Sequence, residues 1–283
     1  MHAVGLAAAG LVAGAGVAHA QLTQADVGVN PTFEQTDPTT VTSTGGFFSA
    51  RAFFTNATDF GASSQLFYPG PGSPAALTLG SSPPSLTLSG SNSSFSGLQS
   101  DFPSGGYVFD LEGGTMGPMP FLLEYDGDAY SNTPQLAAAS FSALQGLNAA
   151  DSITLDFNAM DVSPNATPGA NNIFFSVVNS SNSTVFNETL LTTDTSVTIP
   201  GGVLAAGQSY SFDLLFDDRI TDSTEGFLKT QFYDTHTDGS FSTAAGAVPE
   251  PSTWAMMLIG FGGLGFAVAR RGRRQVVVAT ASR

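Results

Sequence analysis

The chain has 283 residues, contains no cysteine and carries a formal net charge of −15. Without cysteine it forms no disulfide and has neither a thiolate nucleophile nor a cysteine-based metal site. Residues 21–250 hold all 23 acidic residues but only three of the eight basic ones. This part therefore has a net charge of −20, which makes nucleic acid a poor partner.

The first twenty residues, MHAVGLAAAGLVAGAGVAHA, are almost all small and apolar. They end in Ala18-His19-Ala20, which matches the A-x-A pattern of a signal-peptide cleavage site. The alternative is a buried Ala-rich helix, but the segment has no polar face to accompany its apolar one. We therefore predict that residues 1–20 are a secretory signal peptide, that Ala18 and Ala20 mark the cleavage site, and that the protein is exported.

Residues 21–44 contain Thr, Pro and Asn but little apolar content, so we predict a partly mobile N-terminal segment. From residue 45 to 247 the composition favours strands, because Gly and Pro interrupt most windows long enough for a helix. Residues 152–157 and 209–216 alternate apolar and polar side chains. Strand patterns recur roughly every ten residues between turn formers, which predicts an all-β exported domain, either a β-sandwich or a jelly roll.

Two stretches depart from this pattern. Residues 69–106 are rich in Pro, Gly and Ser, which is typical either of a linker between two halves or of long loops with short edge strands. We favour loops within one domain. Residues 135–151 place apolar side chains near helical spacing, but the alternation of Ala and Ser fits a strand as well, so both interpretations remain open.

Several aspartates occupy predicted turns or strand ends, where β domains often bind calcium through carboxylate oxygens. The candidate calcium ligands are Asp126, Asp128, Asp217, Asp218, Asp234 and Asp238. On a strand, the side chains of Asp234, His236 and Asp238 would share one face. The alternative is that these aspartates are ordinary turn formers, so calcium is a hypothesis that the sequence leaves open.

The sequence also limits catalysis. His236 is the only histidine beyond residue 20 and there is no G-x-S-x-G motif, so we predict that the protein is not an enzyme. One alternative is a glycoside-active enzyme in which Glu112 and Glu124 pair as catalytic carboxylates. Another is a carbohydrate-binding module, which requires aromatic side chains exposed together on one sheet face. The candidates for such a face are Tyr107, Tyr125, Tyr130 and Tyr233.

Residues 248–275 have the composition of a short membrane anchor. From Trp254 to Ala269 all sixteen residues are apolar or small, which corresponds to about 24 Å of helix against a hydrocarbon core of about 30 Å. We predict a transmembrane helix over residues 253–269. The arginines that follow mark its cytoplasmic end and make residues 276–283 a cytoplasmic tail; they are Arg270, Arg271, Arg273 and Arg274.

The glycines at residues 260–265 match G-x-G-x-x-G, but a dinucleotide site also needs a preceding strand and a downstream acidic residue. Neither is present in this segment, so close packing of small residues against other membrane helices is the better interpretation.

The order of elements in this tail carries a family resemblance. Pro249-Glu250-Pro251 is followed by Trp254-Ala255, the apolar run and the arginine cluster. This resembles the PEP-CTERM sorting signal of Gram-negative bacteria. The resemblance implies processing by an exosortase-type membrane enzyme, an inner-membrane-anchored intermediate, and delivery to the cell surface or extracellular matrix. It also implies an association with exopolysaccharide and biofilm. The alternative is a plain tail anchor that is never processed.

Together these features predict an exported surface or matrix protein with a structural or adhesive role in extracellular polysaccharide. Its predicted partners are an exosortase-type enzyme, the membrane before processing, and polysaccharide.

Overall fold

The computed structural model describes residues 22–56, 58–61, 63–112, 114, 117–127, 130–245, 256–259 and 261. The predicted signal peptide and its cleavage residues Ala18 and Ala20 lie outside the described residues, and so does Asp128. The residues predicted to form the sorting signal also lie outside them; they are Pro249, Glu250, Pro251, Trp254, Ala255, Arg270, Arg271, Arg273 and Arg274.

Strands dominate the described residues, which confirms the all-β prediction. The strands are β1 (Leu22–Gln35), β2 (Val41–Phe54), β3 (Gln65–Phe67), β4 (Ala75–Ala76), β5 (Thr78–Ser81), β6 (Pro84–Asn92), β7 (Gly105–Leu111), β8 (Met119–Tyr125), β9 (Ile153–Asp156), β10 (Asn172–Asn179), β11 (Thr184–Leu190), β12 (Ser196–Ile199), β13 (Ser209–Asp222) and β14 (Leu228–Ser242). The helices are α1 (Phe95–Asp101) and α2 (Ala138–Leu144).

The strands form one large sheet and two smaller ones. The eight-stranded sheet has the order β11-β10-β13-β14-β1-β2-β6-β5, the four-stranded sheet β4-β3-β7-β8, and the two-stranded sheet β12-β9. β1 and β14 pair in parallel at the centre of the large sheet, and both of their other partners are antiparallel. The N-terminal strand and the last strand before the tail are therefore direct neighbours.

The large sheet buries one face against two separate hydrophobic cores. The first core lies between β1, β2 and β6 and the four-stranded sheet, and includes Phe48 and Phe109. The second core lies between β10 and β13 and the two-stranded sheet together with α2, and includes Phe175 and Phe212. β13 and β14 contribute side chains to both cores, so the large sheet is a shared layer. We call its opposite face the outer face.

The predicted alternation is confirmed in β9 and β13. Ile153 and Leu155 are buried, whereas Thr154 and Asp156 between and beyond them are exposed. In β13 the apolar set faces the second core; its members are Tyr210, Phe212, Leu214 and Phe216. This pattern arises because successive side chains of a strand point to opposite faces of the sheet.

The N-terminal segment differs from its prediction. Residues 22–35, expected to be part of a mobile segment, form the central strand β1. Its inward side chains Ala25, Val27 and Val29 are fully buried. They are small, so a count of bulky apolar residues underestimated the segment, although their alternation with Asp26, Gly28 and Asn30 fits a strand.

The two stretches that the sequence left open are also resolved. Residues 69–106 contain β4, β5, β6 and α1 within the layered structure, which agrees with the interpretation as loops and edge strands. Residues 135–151 contain the seven-residue helix α2, flanked by irregular chain. Ser94 caps α1, because its hydroxyl accepts a hydrogen bond from the backbone N–H of Gly97 at 3.1 Å.

Of the predicted transmembrane segment, the structure describes only residues 256–259 and 261. They are helical, and their side chains are between 51% and 72% exposed. Within the described part of the chain, no helix has the length and hydropathy required to cross a membrane.

Candidate functional site

A row of charged side chains crosses the outer face of the large sheet. It is contributed by β2, β1, β14 and β13, and its members are Arg51, Asp26, Asp234, His236, Asp213, Asp217 and Arg219. We call this set the charged row. The register brings these side chains together from segments more than 200 residues apart in sequence, because β1 pairs directly with β14.

Two ion pairs compensate the most deeply buried carboxylates of the charged row. The Nε of Arg51 lies 2.9 Å from Asp26 Oδ1, and the Nε of Arg219 lies 2.8 Å from Asp217 Oδ1. Both aspartate side chains are at most 2% exposed, whereas both arginines are more than 40% exposed. Burial raises the pKa of Asp26, and Arg51 partly opposes that increase. The arginines therefore cover the carboxylates while their own guanidinium groups remain hydrated.

Asp217 and Asp234 stand directly opposite each other on β13 and β14. Cross-strand neighbours of this kind have Cβ atoms about 5 Å apart, so two negative charges here would repel strongly. Burial, the charge of Asp217 and a hydrogen bond to Asp217 together raise the pKa of Asp234 to about 8. Asp234 is therefore protonated at neutral pH, which relieves the repulsion.

Asn30 connects β1 to this pair. Its Oδ1 accepts a hydrogen bond from the backbone N–H of Asp234 at 3.2 Å, which fixes the orientation of the amide. Among the described residues, Asp217 Oδ2 and Asp234 Oδ1 have no hydrogen-bond donor other than the proton that this carboxyl pair shares, and Asn30 Nδ2 is buried without an acceptor.

His236 occupies the next outward position on β14. Its Nδ1 lies 3.3 Å from one carboxylate oxygen of Asp213 and 3.4 Å from the other. Burial opposes the charged ring, but the hydrogen bond and charge of Asp213, together with Asp234 and Asp238, raise the pKa of His236 overall. The ring is tilted against Phe47, with 5.8 Å between ring centroids.

The side chain of Phe232 anchors the same face. An added Cβ on Gly28 would lie only 2.3 Å from the Phe232 ring, so this ring lies directly over the glycine. The guanidinium of Arg51 is 5.5 Å from the Phe232 centroid and 5.3 Å from that of Phe53. The absence of a side chain at Gly28 is therefore a requirement of this packing.

The structure divides the predicted calcium ligands into separate places. Asp217, Asp234 and Asp238 lie on the outer face, whereas Asp218 points from β13 toward the buried side. Asp126 follows β8, and its backbone N–H donates to Gln231 Oε1 at 3.0 Å and to the Tyr233 hydroxyl at 3.2 Å. Over the described ranges, no three His, Asp or Glu side chains are grouped so that they could hold a metal ion.

The four tyrosines considered for sugar binding do not form an exposed platform. Tyr107, Tyr125 and Tyr233 are at most 3% exposed, and Tyr130 packs partly buried against the same first core. Tyr130 donates its hydroxyl to the carbonyl of Val29 at 2.7 Å. These rings are core residues, because they fill the space between the four-stranded sheet and β14.

The two glutamates considered as a glycosidase pair are far apart. Gly106 is opposite Glu124 in the β7–β8 ladder, and Glu112 lies six residues beyond Gly106, directly after the end of β7. At about 3.4 Å per residue this separates the two carboxylates by roughly 20 Å. Glycosidase carboxylates are only about 5–10 Å apart, so this geometry does not favour that pair.

Two of the clefts on the described surface lie beside the large sheet. One of about 540 Å³ lies between the β1–β2 connection and α2, with Glu34, Asp37, Gln145 and Ser240 among its lining residues. Another of about 260 Å³ lies beside β8 and β14, where Lys229 pairs with Glu225 at 2.7 Å. The charged row lines neither cleft.

Three aspartates of this face, Asp217, Asp234 and Asp238, were predicted as candidates from the sequence. Asp26 and Asn30 were not, because they lie in the segment expected to be mobile. The signal that would have found them is the alternation of polar and apolar residues from Ala25 to Asn30. Nothing local in the sequence shows that β1 pairs with β14, because that contact joins opposite ends of the exported part.

Three solved structures to which the chain is similar are distant likenesses. A biofilm-associated protein BSP domain is 13% identical at a TM-score of 0.21, covering 77% of this chain and 30% of that one. Chicken CNTN1 FN1–FN3 domains are 9% identical at 0.30, covering 76% and 68%. The human OSCAR ligand-binding domain is 14% identical at 0.23, covering 77% and 97%. The chain thus spans under a third of the length of the biofilm-associated structure, and TM-scores this low do not establish a shared fold.

No curated protein matches the chain. One family model does match, and its description is the PEP-CTERM protein-sorting motif. The match covers residues 247–274, which includes the Pro-Glu-Pro, the apolar run and the four clustered arginines. The tail of this chain therefore carries a PEP-CTERM protein-sorting motif.

Proposed function

We propose that this is an exported surface or matrix protein, sorted and processed through its PEP-CTERM tail, with a structural or adhesive role in extracellular polysaccharide. The match of the tail to the sorting motif is the observation that carries the proposal. The proposed route begins with removal of residues 1–20, continues with anchoring by a helix over residues 253–269, and ends with exosortase-type cleavage near Pro249-Glu250-Pro251.

The physical character of the tail supports this route. The described apolar side chains from Met256 to Phe261 are exposed, so the folded domain does not bury them. Burial in a bilayer would remove this apolar surface from water, which is favourable by about 25 cal/mol of free energy per Å² of apolar area. Pro-Glu-Pro cannot continue a regular helix, so it is expected to leave an extended stretch outside the bilayer that a protease could reach.

The character of the folded domain supports a role without catalysis. Asp234, whose pKa is raised to about 8, and Asp217, which is held by Arg219, line neither of the two clefts described above. The charge of −20 between residues 21 and 250 favours hydration and mutual repulsion of copies rather than aggregation. We therefore propose a bulk role in the matrix rather than turnover of a substrate.

The test is to measure the intact mass of the protein recovered with the extracellular polysaccharide fraction of its host. We expect a mass that lacks both the first twenty residues and the arginine cluster. Replacing Pro249, Glu250 and Pro251 with alanine should leave the tail attached and shift the protein to the membrane fraction. A Gln275→Ala variant, altered beyond the apolar run, is the matched control and should be processed normally.

A full-length mass for the protein in the matrix would contradict processing. A correctly processed protein that is recovered only in the medium, free of polysaccharide, would contradict the matrix role while leaving the sorting route intact. The two parts of the proposal are therefore tested separately by the same fractionation.

A further inference from the structure

The inner side of the large sheet contains a group of buried polar side chains, which we call the polar pocket; its members are Asp218, Thr235 and Ser131. Asp218 on β13 points into it and is fully buried. One of its oxygens, Oδ2, accepts a hydrogen bond from the backbone N–H of Ser163 at 3.2 Å. Within the part of the chain that the structure describes, the other oxygen, Oδ1, is buried without a hydrogen-bond partner. A buried carboxylate with one uncompensated oxygen is costly, so this pocket calls for a positive or donating group.

Thr235 lies beside Asp218 on the neighbouring strand. The β13–β14 register pairs Asp218 with Tyr233 and Phe216 with Thr235, so Thr235 is one diagonal step from Asp218 on the same buried face. Its side chain is 2% exposed, and among the described residues its hydroxyl has no hydrogen-bond partner.

The segment between β8 and α2 packs over Thr235 on the buried face of the large sheet. The ring of Tyr130 packs against Tyr233 at 5.2 Å, and the carbonyl of Pro134 accepts a hydrogen bond from the Thr237 hydroxyl at 2.7 Å. The residues between these two contacts therefore pass over Thr235. Ser131 is one of them; it is 8% exposed, and its hydroxyl also lacks a partner among the described residues.

The loop after β9 carries a second carboxylate, that of the exposed residue Asp161. The backbone N–H of Asp161 donates to Asn132 Oδ1 at 2.7 Å, which joins this loop to the segment that carries Ser131. Burial is the largest cause that raises the pKa of Asp218, to about 6, and the charges of Asp217 and Asp161 act in the same direction. Asp161 thus supplies a second negative charge near Asp218 from the solvent side.

We propose that this pocket binds one divalent cation of the calcium class, with Asp218 Oδ1, Ser131 Oγ and Thr235 Oγ1 as ligands and Asp161 as the second carboxylate. All four groups offer oxygen, which calcium prefers, and two carboxylates match a double positive charge. The nitrogen-free donor set disfavours zinc and copper. Such a site contains two carboxylates rather than three, so the absence of a larger acidic group among the described residues does not conflict with it.

The position of the pocket gives the ion a structural task. It lies where the segment after β8, the loop after β9, and strands β13 and β14 meet, which is also the boundary between the two cores. A bound cation would link these four parts of the chain and stabilise the folded form according to its affinity. This proposal does not depend on the sorting route or on the matrix role.

The test uses the full chain, stripped with chelator and titrated with Ca²⁺, with thermal unfolding as one measurement. We expect saturating Ca²⁺ to raise the Tm of the wild type by about 5 °C or more. Asp218→Asn should abolish that shift. In chelator the same variant should be at least as stable as the wild type, because it removes an uncompensated buried charge. This reversal of order distinguishes an ion site from a residue that is merely needed for folding.

Tb³⁺ luminescence gives a direct measurement of occupancy, because Tyr130 and Tyr233 lie beside the pocket and can sensitise a bound lanthanide. We expect Ca²⁺ to displace Tb³⁺ at one site per chain. The Thr235→Val variant keeps the side-chain shape and should weaken Ca²⁺ binding at least tenfold while the protein remains folded.

Asp234→Asn is the matched control, since it alters a neighbouring carboxylate on the opposite face of β14. It should leave Ca²⁺ binding unchanged. A wild-type Tm that does not respond to Ca²⁺ would show that the pocket holds only water and would overturn the proposal. Loss of binding in Asp234→Asn but not in Asp218→Asn would overturn it as well, because the ion would then lie on the outer face.

Discussion

At the scale of single residues, two neighbouring aspartates on opposite faces of the β13–β14 ladder have different groups to compensate their charge. Asp217 points outward to Arg219, which neutralises one of its oxygens, whereas Asp218 points inward and receives only the backbone N–H of Ser163. The two residues are adjacent in sequence but on opposite faces, because side chains alternate along a strand. Their burial is equal, yet the groups that compensate their charge are not.

The protonation of Asp234 leads to a prediction about pH. Its pKa is raised on folding from 3.8 to about 8, so the folded state holds the proton more tightly than the unfolded state between these values. Stability is then highest below pH 4 as far as this group is concerned, and it decreases as pH rises toward 8. The raised pKa of His236 acts in the same direction, since its stabilisation is complete below 6.5 and is lost above that pH.

We therefore expect the free energy of unfolding of the wild type to fall between pH 6 and 8, and Asp234→Asn to remove about 1–2 kcal/mol of that fall. Urea unfolding at a series of pH values measures it. The range above pH 6 is chosen because the pKa of Asp218 lies at about 6, so the pH dependence of stability that Asp218 causes falls mainly below this range. Asp156→Asn, an exposed change on β9, should leave the profile unaltered. Parallel profiles for the wild type and Asp234→Asn would contradict protonation of this residue.

At the scale of elements, the parallel pairing of β1 and β14 is the contact on which the large sheet depends. Gly28 and Phe232 are directly paired there, and the ring fills the position that a side chain on residue 28 would need. β1 also contributes Asp26 to the charged row and places Asn30 beside it, so the register of β1 sets both faces of the sheet. A shift by one residue would exchange the buried valines with these polar groups.

Gly28→Ala should therefore destabilise the protein by about 1–3 kcal/mol, because its Cβ would overlap the Phe232 ring and the Phe232 carbonyl oxygen. Denaturant unfolding gives the value. Gly117→Ala is the matched control, since an added Cβ there meets nothing within 4 Å.

A double-mutant cycle shows how much of this destabilisation comes from the Phe232 ring and how much from the Phe232 backbone. In a Phe232→Ala background the clash with the ring disappears, so Gly28→Ala should cost markedly less there than in the wild type. Equal costs in both backgrounds would show that the ring is not responsible and that the backbone contact alone limits residue 28.

At the scale of the whole molecule, two hydrophobic cores share one sheet. β13 supplies Phe216 to the second core and Ile220 to the first, and β14 supplies Phe241 to the second and Tyr233 to the first. Strands that pass through both cores couple them, because neither core retains its layer if β13 and β14 separate from the sheet. The boundary between the cores is also where we place the cation.

We expect the exported domain to unfold in one cooperative transition. Phe109→Ala in the first core and Phe175→Ala in the second should each cost about 3–5 kcal/mol, because both rings are fully buried. In either variant, tyrosine fluorescence, which reports mainly the first core, should change together with far-ultraviolet circular dichroism. Two separated transitions in one of these variants would contradict the prediction that both cores unfold as one cooperative unit.

The alternation in β9 and β13, together with the recurring turn formers, predicted an all-β fold, because a strand buried on one face leaves a local signature in its own residues. The order of Pro-Glu-Pro, apolar run and arginines likewise predicted the sorting motif without any structure. A sorting signal acts as a linear segment, so its recognition depends on sequence order. β1 was not predicted as a strand, because its inward residues are small, and only the structure shows that these residues are buried.

What the tertiary structure alone decided is which side chains meet. The aspartates at 217, 218, 234 and 238 were visible as candidates, but their division between two faces depends on the register of β13 and β14. Asn30, Ser131 and Asp161 carried no signal of their own, because they reach these places through strand pairing and loop packing between distant segments. The sequence by itself determined the class of fold and the sorting motif, since both depend on the order of residues within short segments. The polar sites arise from long-range contacts, and those exist only once the chain has folded.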